Sequence, residues 1–137
     1  VGKTLGPSPS MEITQARIDQ FAEATGDHQW IHVDPDMAAK GPFGATIAHG
    51  YLTMSLAAKF MPEIIEVKGI SMGVNYGTEK TRFPSPVRVG SKLSATGTVL
   101  SVEEAKGGIK MVFQIVIQAE GAEKPACIVD SISVYFP

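Results

Sequence analysis

A chain of 137 residues, 44% hydrophobic and 19% charged, has the length of one domain and enough apolar material for a real core. Its 12 basic and 14 acidic residues leave a net charge of -2 with the signs scattered, which argues against a nucleic-acid partner held by electrostatics. A single cysteine, Cys127, excludes an internal disulfide and a paired-cysteine metal or redox site, and no apolar run reaches the ~20 residues of a bilayer span. The first residues lack the pattern of a signal peptide, so a soluble, cytoplasmic protein with no membrane partner is expected.

Taken in order, Val1 to Ser10 holds two glycines and two prolines and reads as an irregular lead-in to a short extended piece near Met11 to Ile13. Thr14 is a helix N-cap; Ile18, Phe21 and Ala22 then recur at helical spacing, and Gly26 closes the helix. Asp34-Pro35 repeats the start signal, because the Asp can accept a backbone N–H and a proline loses nothing in a first turn. That predicts a short helix through Ala39, ending near Gly41. After the loop of Gly41 to Gly44, the longest helix is expected from Thr46 to Met61, stopping before Pro62. Ile47, Ala48, Tyr51, Leu52, Met54, Leu56, Ala57, Ala58, Phe60 and Met61 make it apolar on almost every face, which predicts a buried helix covered by a sheet.

From Ile64 the period changes to two. Strands are expected over Val67 to Phe83, Lys92 to Glu103, Ile109 to Glu120 and Ala126 to Tyr135, with Pro84-Ser85-Pro86 separating the first two. Ile109, Met111, Phe113, Ile115 and Ile117 alternate with polar residues, as do Ala126, Ile128, Ile132, Val134 and Phe136 with smaller or polar ones. Gly69, Gly73 and Gly77 should share one strand face and leave room there for the helix or a ligand. Cys127 reads as a small core hydrophobe. Helices first and antiparallel strands after is an α+β arrangement in a single domain.

The chemistry concentrates between Thr25 and His32 and at Ala48-His49-Gly50. Asp27 and His32 would stand about 140° apart on a continuous helix, so Gly26 matters: it frees Asp27 to Ile31 to form a loop that turns both side chains inward. A carboxylate and an imidazole converging from a loop are the parts of general acid–base catalysis. Taken singly, Asp27 reads as a turn residue bonding backbone N–H groups, and His32 as a packed histidine beside Trp30 and Ile31. The pairing raises both. His28 and His32 have the four-residue spacing of metal ligands, with His49 a distant third, but Gly26 makes a helix there doubtful and no metal is expected. Gly50 reads two ways: a residue without Cβ letting a ligand reach an unpaired N–H near a helix start, or a residue packed tightly against a strand.

The runs Phe21 to Asp27, Trp30-Ile31-His32, Ala38-Ala39, Ile47 to Tyr51, Asn75-Tyr76-Gly77 and Arg82 to Val87 resemble the MaoC-like (R)-specific enoyl-CoA hydratases over nearly the whole chain. The resemblance implies a hot-dog fold, an antiparallel sheet wrapped around a long central helix, and hydration of a trans-2-enoyl thioester to the (R)-3-hydroxyacyl product. Asp27 and His32 would activate water jointly, and the Gly50 N–H would bind the thioester oxygen. It places Gln29, Trp30, His49, Asn75, Tyr76 and Gly77 along the substrate. Gln29-Trp30 stands where the common motif has Asn-Pro, which leaves the bracing of the loop and the choice of acyl chain open. Lys80, Arg82, Arg88 and Lys92 are candidates to meet coenzyme A phosphates, although solvated strand charges are the commoner case. A homodimer is implied, with acyl-CoA as substrate and no cofactor. A hot-dog thioesterase and a noncatalytic acyl-CoA-binding subunit remain alternatives.

Overall fold

The computed structural model describes residues 1–137 and opens with two short strands, β1 (Thr4–Leu5) and β2 (Met11–Glu12). β1 lies in the stretch expected to be irregular. It exists because a long strand offers its edge: Thr4 and Leu5 pair with Thr98 and Gly97, and the hydroxyls of Thr4 and Thr98 meet at 2.8 Å. Helix α1 (Gln15–Thr25) follows as expected, with the Thr14 side chain accepting the Arg17 N–H and Gly26, at φ 82°, donating its N–H to the Ala22 carbonyl. Ile18 and Ala22 are its buried face.

The loop after Gly26 is shorter than expected. Trp30–Val33 forms one turn, α2, so His32 sits on a helix rather than in a loop, and α3 (Pro35–Ala39) begins where the Asp34 side chain accepts the Met37 N–H. The long helix also differs. It starts at Gly50 rather than Thr46 and breaks at Leu56 into α4 (Gly50–Ser55) and α5 (Ala57–Ile64). Residues 46–48 are drawn into extended pairing instead, with Ile47 bridging Arg88, Ala48 N–H donating to the Val87 carbonyl and Val89 N–H to the Thr46 carbonyl. Pro62 lies inside α5, since a proline there loses one intrahelical bond and the helix still closes through Ile65 N–H to the Met61 carbonyl. Nor is the helix covered all round: Leu52, Leu56 and Phe60 are buried one turn apart, while Tyr51 is 69% exposed.

Strands β3 (Met72–Arg82), β4 (Lys92–Ala105), β5 (Gly108–Ala119) and β6 (Cys127–Phe136) complete one antiparallel sheet in the order β1-β4-β5-β6-β3, with β2 also on β4. This is the α+β arrangement read from the sequence. The core forms where Leu93, Ala95, Phe113, Ile115, Ile117 and Val129 meet Phe60 and Leu56. A side chain on Gly97 would overlap the Phe113 ring, so glycine there is a packing requirement. Cys127 is buried in the core, and burial pushes its thiol up to about 11.

Two face assignments need correction. In β6 the pairs Ile115 with Val129 and Ile117 with Cys127 turn the odd-numbered residues toward the helices, so Ile128, Ile132, Val134 and Phe136 occupy the opposite face. Pairing with β5 fixes the register, and a one-residue change of register flips every side chain. The three glycines do not share a face either. Gly69 precedes β3, and a register shift between Asn75 and Gly77 sets Gly73 opposite Tyr135 but Gly77 opposite Ile132, on alternate sides of β6. β3 pairs with β6 alone, and its other edge is open. No helix is long and apolar enough to cross a membrane.

Candidate active site

Three elements deliver Asp27, His32 and Gly50 to one place. Past Gly26, the Thr25 hydroxyl donates to the Phe21 carbonyl at 2.7 Å and accepts the Asp27 N–H at 3.4 Å. Asp27 Oδ1 in turn accepts the Gln29 N–H at 3.3 Å. One carboxylate oxygen thus braces the turn, and the other has no protein donor. Asp27 is a turn residue, and one of its carboxylate oxygens also lies within 4.8 Å of a His32 nitrogen.

His32 is buried, and its Nδ1 lies 2.7 Å from the Ile47 carbonyl. A carbonyl only accepts, so Nδ1 carries the hydrogen and Nε2 keeps a lone pair. Burial is the largest influence on this imidazole and lowers its pKa below the usual range, and His49 adds to the lowering; the Ile47 bond and the Asp27 charge oppose it. His32 is therefore neutral at neutral pH, a proton acceptor at Nε2. The anchoring carbonyl belongs to the extended segment that replaces the first turn of the expected long helix.

His49 is 3% exposed and immediately precedes α4. Its ring stacks on His32, with centroids 3.9 Å apart and planes at 23°, and its Nε2 lies 3.0 Å from the Asp27 carbonyl. Nδ1 is buried without a partner. Gly50 is the first residue of α4, so its N–H has no intrahelical acceptor. A methyl group on Gly50 would rest 3.4 Å from the Phe83 ring, at the tight edge of ordinary contact. Packing alone therefore makes only a weak demand for glycine here.

Sequence reasoning gave no role to Gln15. Its Nε2 donates to the His32 carbonyl at 2.8 Å, and its Oε1 accepts the hydroxyl of buried Thr46 at 2.6 Å. A glutamine in the first turn of a helix carries no local sign of such a task. It ties α1 to both the His32 turn and the segment that holds His32 in place.

One nitrogen of each of His32 and His49 and one Asp27 oxygen lie within 4.8 Å of one another, a set of donors suggestive of a metal. The stack opposes chelation: each lone pair lies in the plane of its own ring, and two nearly parallel planes held apart by the stack do not meet at one nearby ion. His28, the other histidine of the four-residue spacing, faces Glu23 at 3.6 Å instead.

The remaining candidates are more dispersed. A cavity of about 530 Å³ lies between α4–α5 and the β3–β6 pair, its helical wall made by Met54, Ala57 and Met61 and its sheet wall by Asn75, Ser131 and Tyr135. Tyr76 is 72% exposed, Gly77 is half-buried beside it, and Gln29, Lys80, Arg82, Arg88 and Lys92 are exposed. Trp30 stands apart from the cavity, its indole against Gly41, where an added Cβ would come within 3.1 Å of the ring. We expect Trp30→Ala to lower the melting temperature while leaving the preference among acyl chain lengths unchanged. A shift of that profile toward longer chains would instead place the indole on the acyl path.

Residues 1–120 match the model of the MaoC like domain family. The 3-hydroxyacyl-thioester dehydratase Z of Mycobacterium tuberculosis is 46% identical over 135 residues, which span 98% of this chain and 89% of that protein. Nodulation protein N of Rhizobium leguminosarum bv. viciae is 40% identical over 141 residues, spanning 98% and 85%. Among solved structures, the (R)-hydratase from A. caviae involved in PHA biosynthesis is similar with a TM-score of 0.81 at 26% identity, covering 100% of this chain and 96% of that one.

Proposed function

The chain belongs to the MaoC-like domain family and has the hot-dog fold, and we propose that it reversibly hydrates trans-2-enoyl-CoA to (R)-3-hydroxyacyl-CoA in fatty-acid metabolism. The observation that carries this reading is a buried His32 whose Nδ1 is taken by the Ile47 carbonyl, leaving Nε2 as proton acceptor, on a ring with a nitrogen within 4.8 Å of the Asp27 carboxylate. Water held by the pair gives a proton to His32 Nε2 as its oxygen bonds C3. The proton, shared with Asp27, is returned to C2 on the same face, so the pair ends as it began. The Gly50 N–H donates to the thioester oxygen while negative charge develops there. The acyl chain is assigned to the cavity beside α4, with its mostly apolar wall, and the coenzyme A phosphates to the exposed Lys80 and Arg82. No step requires a cofactor.

The test is loss of the enoyl-thioester absorbance on crotonyl-CoA, with EDTA present and absent. Equal turnover in both supports the reading. Release of free thiol would identify the thioesterase alternative, binding without turnover the noncatalytic one, and inhibition by the chelator a metal held by Asp27, His32 and His49.

The pH dependence follows from the direction of the His32 shift. Folded His32 binds a proton more weakly than the unfolded chain does. Its contribution to stability is therefore full above the usual imidazole range and is lost as pH falls through the lowered folded value. Hydration should hold level above the usual imidazole range and fall only as pH drops below the ordinary imidazole value. A rate that halves above that value would contradict a buried base held neutral.

Assembly as a cytoplasmic homodimer completes the proposal. β3 offers an open edge with Met72, Val74 and Tyr76 exposed beside it, an arrangement that a second copy can cover by continuing the sheet. Sedimentation at micromolar concentration should give a dimer, and a fully active monomer would remove the point.

A further inference from the structure

We infer that His49 is the positioning residue of the site, holding the Asp27 carbonyl with its Nε2–H and the His32 ring with its face. The inference rests on the hydratase reading but concerns a residue that the resemblance sets only along the substrate and that the proposed steps do not use. Three observations converge on it. The Asp27 carbonyl is an acceptor, so His49 Nε2 must be the donor across the 3.0 Å contact, which fixes the tautomer. The ring lies flat on His32 on one side and meets the Phe21 ring of α1 at 4.9 Å, tilted by 53°, which confines it between the helix that ends before Asp27 and the imidazole it supports. The next residue is Gly50, so the same backbone that carries the ring begins α4.

The contact of the second nitrogen is the informative one because it is missing. With Nε2 protonated, Nδ1 is a buried acceptor with nothing to accept from, a destabilising arrangement that a phenyl ring of similar size would avoid. A residue kept only for packing would have no need of either nitrogen. Asp27 is an exposed residue and its bond to His49 is only part-buried, so water can take the place of the lost donor and stability does not require the Nε2–H. What requires it is geometry: the Asp27 side chain reaches its place only if the peptide behind it is held, and Asp27 and His32 must address the same water.

The experiment compares wild type with His49→Phe and His49→Gln on crotonyl-CoA, measuring kcat, KM and melting temperature. His49→Phe keeps a ring on His32 and removes the donor; we expect kcat to fall about 10- to 100-fold, KM to stay within about twofold, and the melting temperature to be no lower than wild type. His49→Gln restores an N–H at the ε position and should recover at least threefold over His49→Phe. A folded His49→Phe within threefold of wild type, or a His49→Gln no better than it, overturns the inference. Should His49→Phe fail to fold, His49→Met replaces it: Met and Gln are of one size and differ in the donor, and equal kcat in the two overturns the inference. Absence of hydration in the wild type would strike the proposed reaction itself, a result distinct from all of these.

Discussion

Asp27→Asn and His32→Gln should each lower turnover of crotonyl-CoA by about 10² to 10⁴, the usual contribution of a positioned general acid or base. Folding should survive both. An asparagine keeps the side-chain oxygen that accepts the Gln29 N–H, so the turn after Gly26 retains its brace. A glutamine at 32 keeps roughly the size of the imidazole and a polar amide, although its nitrogen sits at the ε position rather than at the Nδ1 position that donates to the Ile47 carbonyl. Each variant loses what the chemistry needs, the charge in one case and the free nitrogen lone pair in the other. Because both groups address one water, the double variant should be little worse than the poorer single one. Folded variants within a few-fold of wild type would remove the pair from the mechanism, and losses that multiply would leave two important residues that do not share a water.

The other large effect is on stability. Phe60 is fully buried and continues the row of Leu52 and Leu56 through the break at Leu56, so it carries the seat of α5 on the sheet. Phe60→Ala should cost about 3 to 5 kcal/mol, the usual result of emptying an aromatic site in a core that cannot collapse to fill it. For a chain of this size that lowers the melting temperature by roughly 10 to 20 °C. The proposed catalytic pair lies on other elements, so kcat measured well below the new melting temperature should stay within a few-fold of wild type. A melting temperature within 3 °C of wild type would mean that neighbouring side chains close the space.

Whatever acts over a few residues is legible in the chain alone. Thr14 and Gly26 bound α1 because a hydroxyl reaches an N–H three residues on and a glycine tolerates φ 82°. Alternation placed Met111, Phe113, Ile115 and Ile117 on one face, and the turn after Gly26, together with the family resemblance, suggested that Asp27 and His32 converge. Tertiary structure decided where a local preference met a distant partner. Residues 46–48 give up the helix because the Val87 carbonyl and the Val89 N–H offer them strand-like bonds, and that same choice presents the Ile47 carbonyl to His32. The face of β6 follows its pairing with β5 rather than the row of isoleucines and valines along it, since period two is the same read from either side. Gln15 and His49 gained their parts in the same way: an amide at a helix start and a ring before another helix carry no local sign of what they will touch, because their partners are brought to them only when α1, α2 and the 46–49 segment pack together.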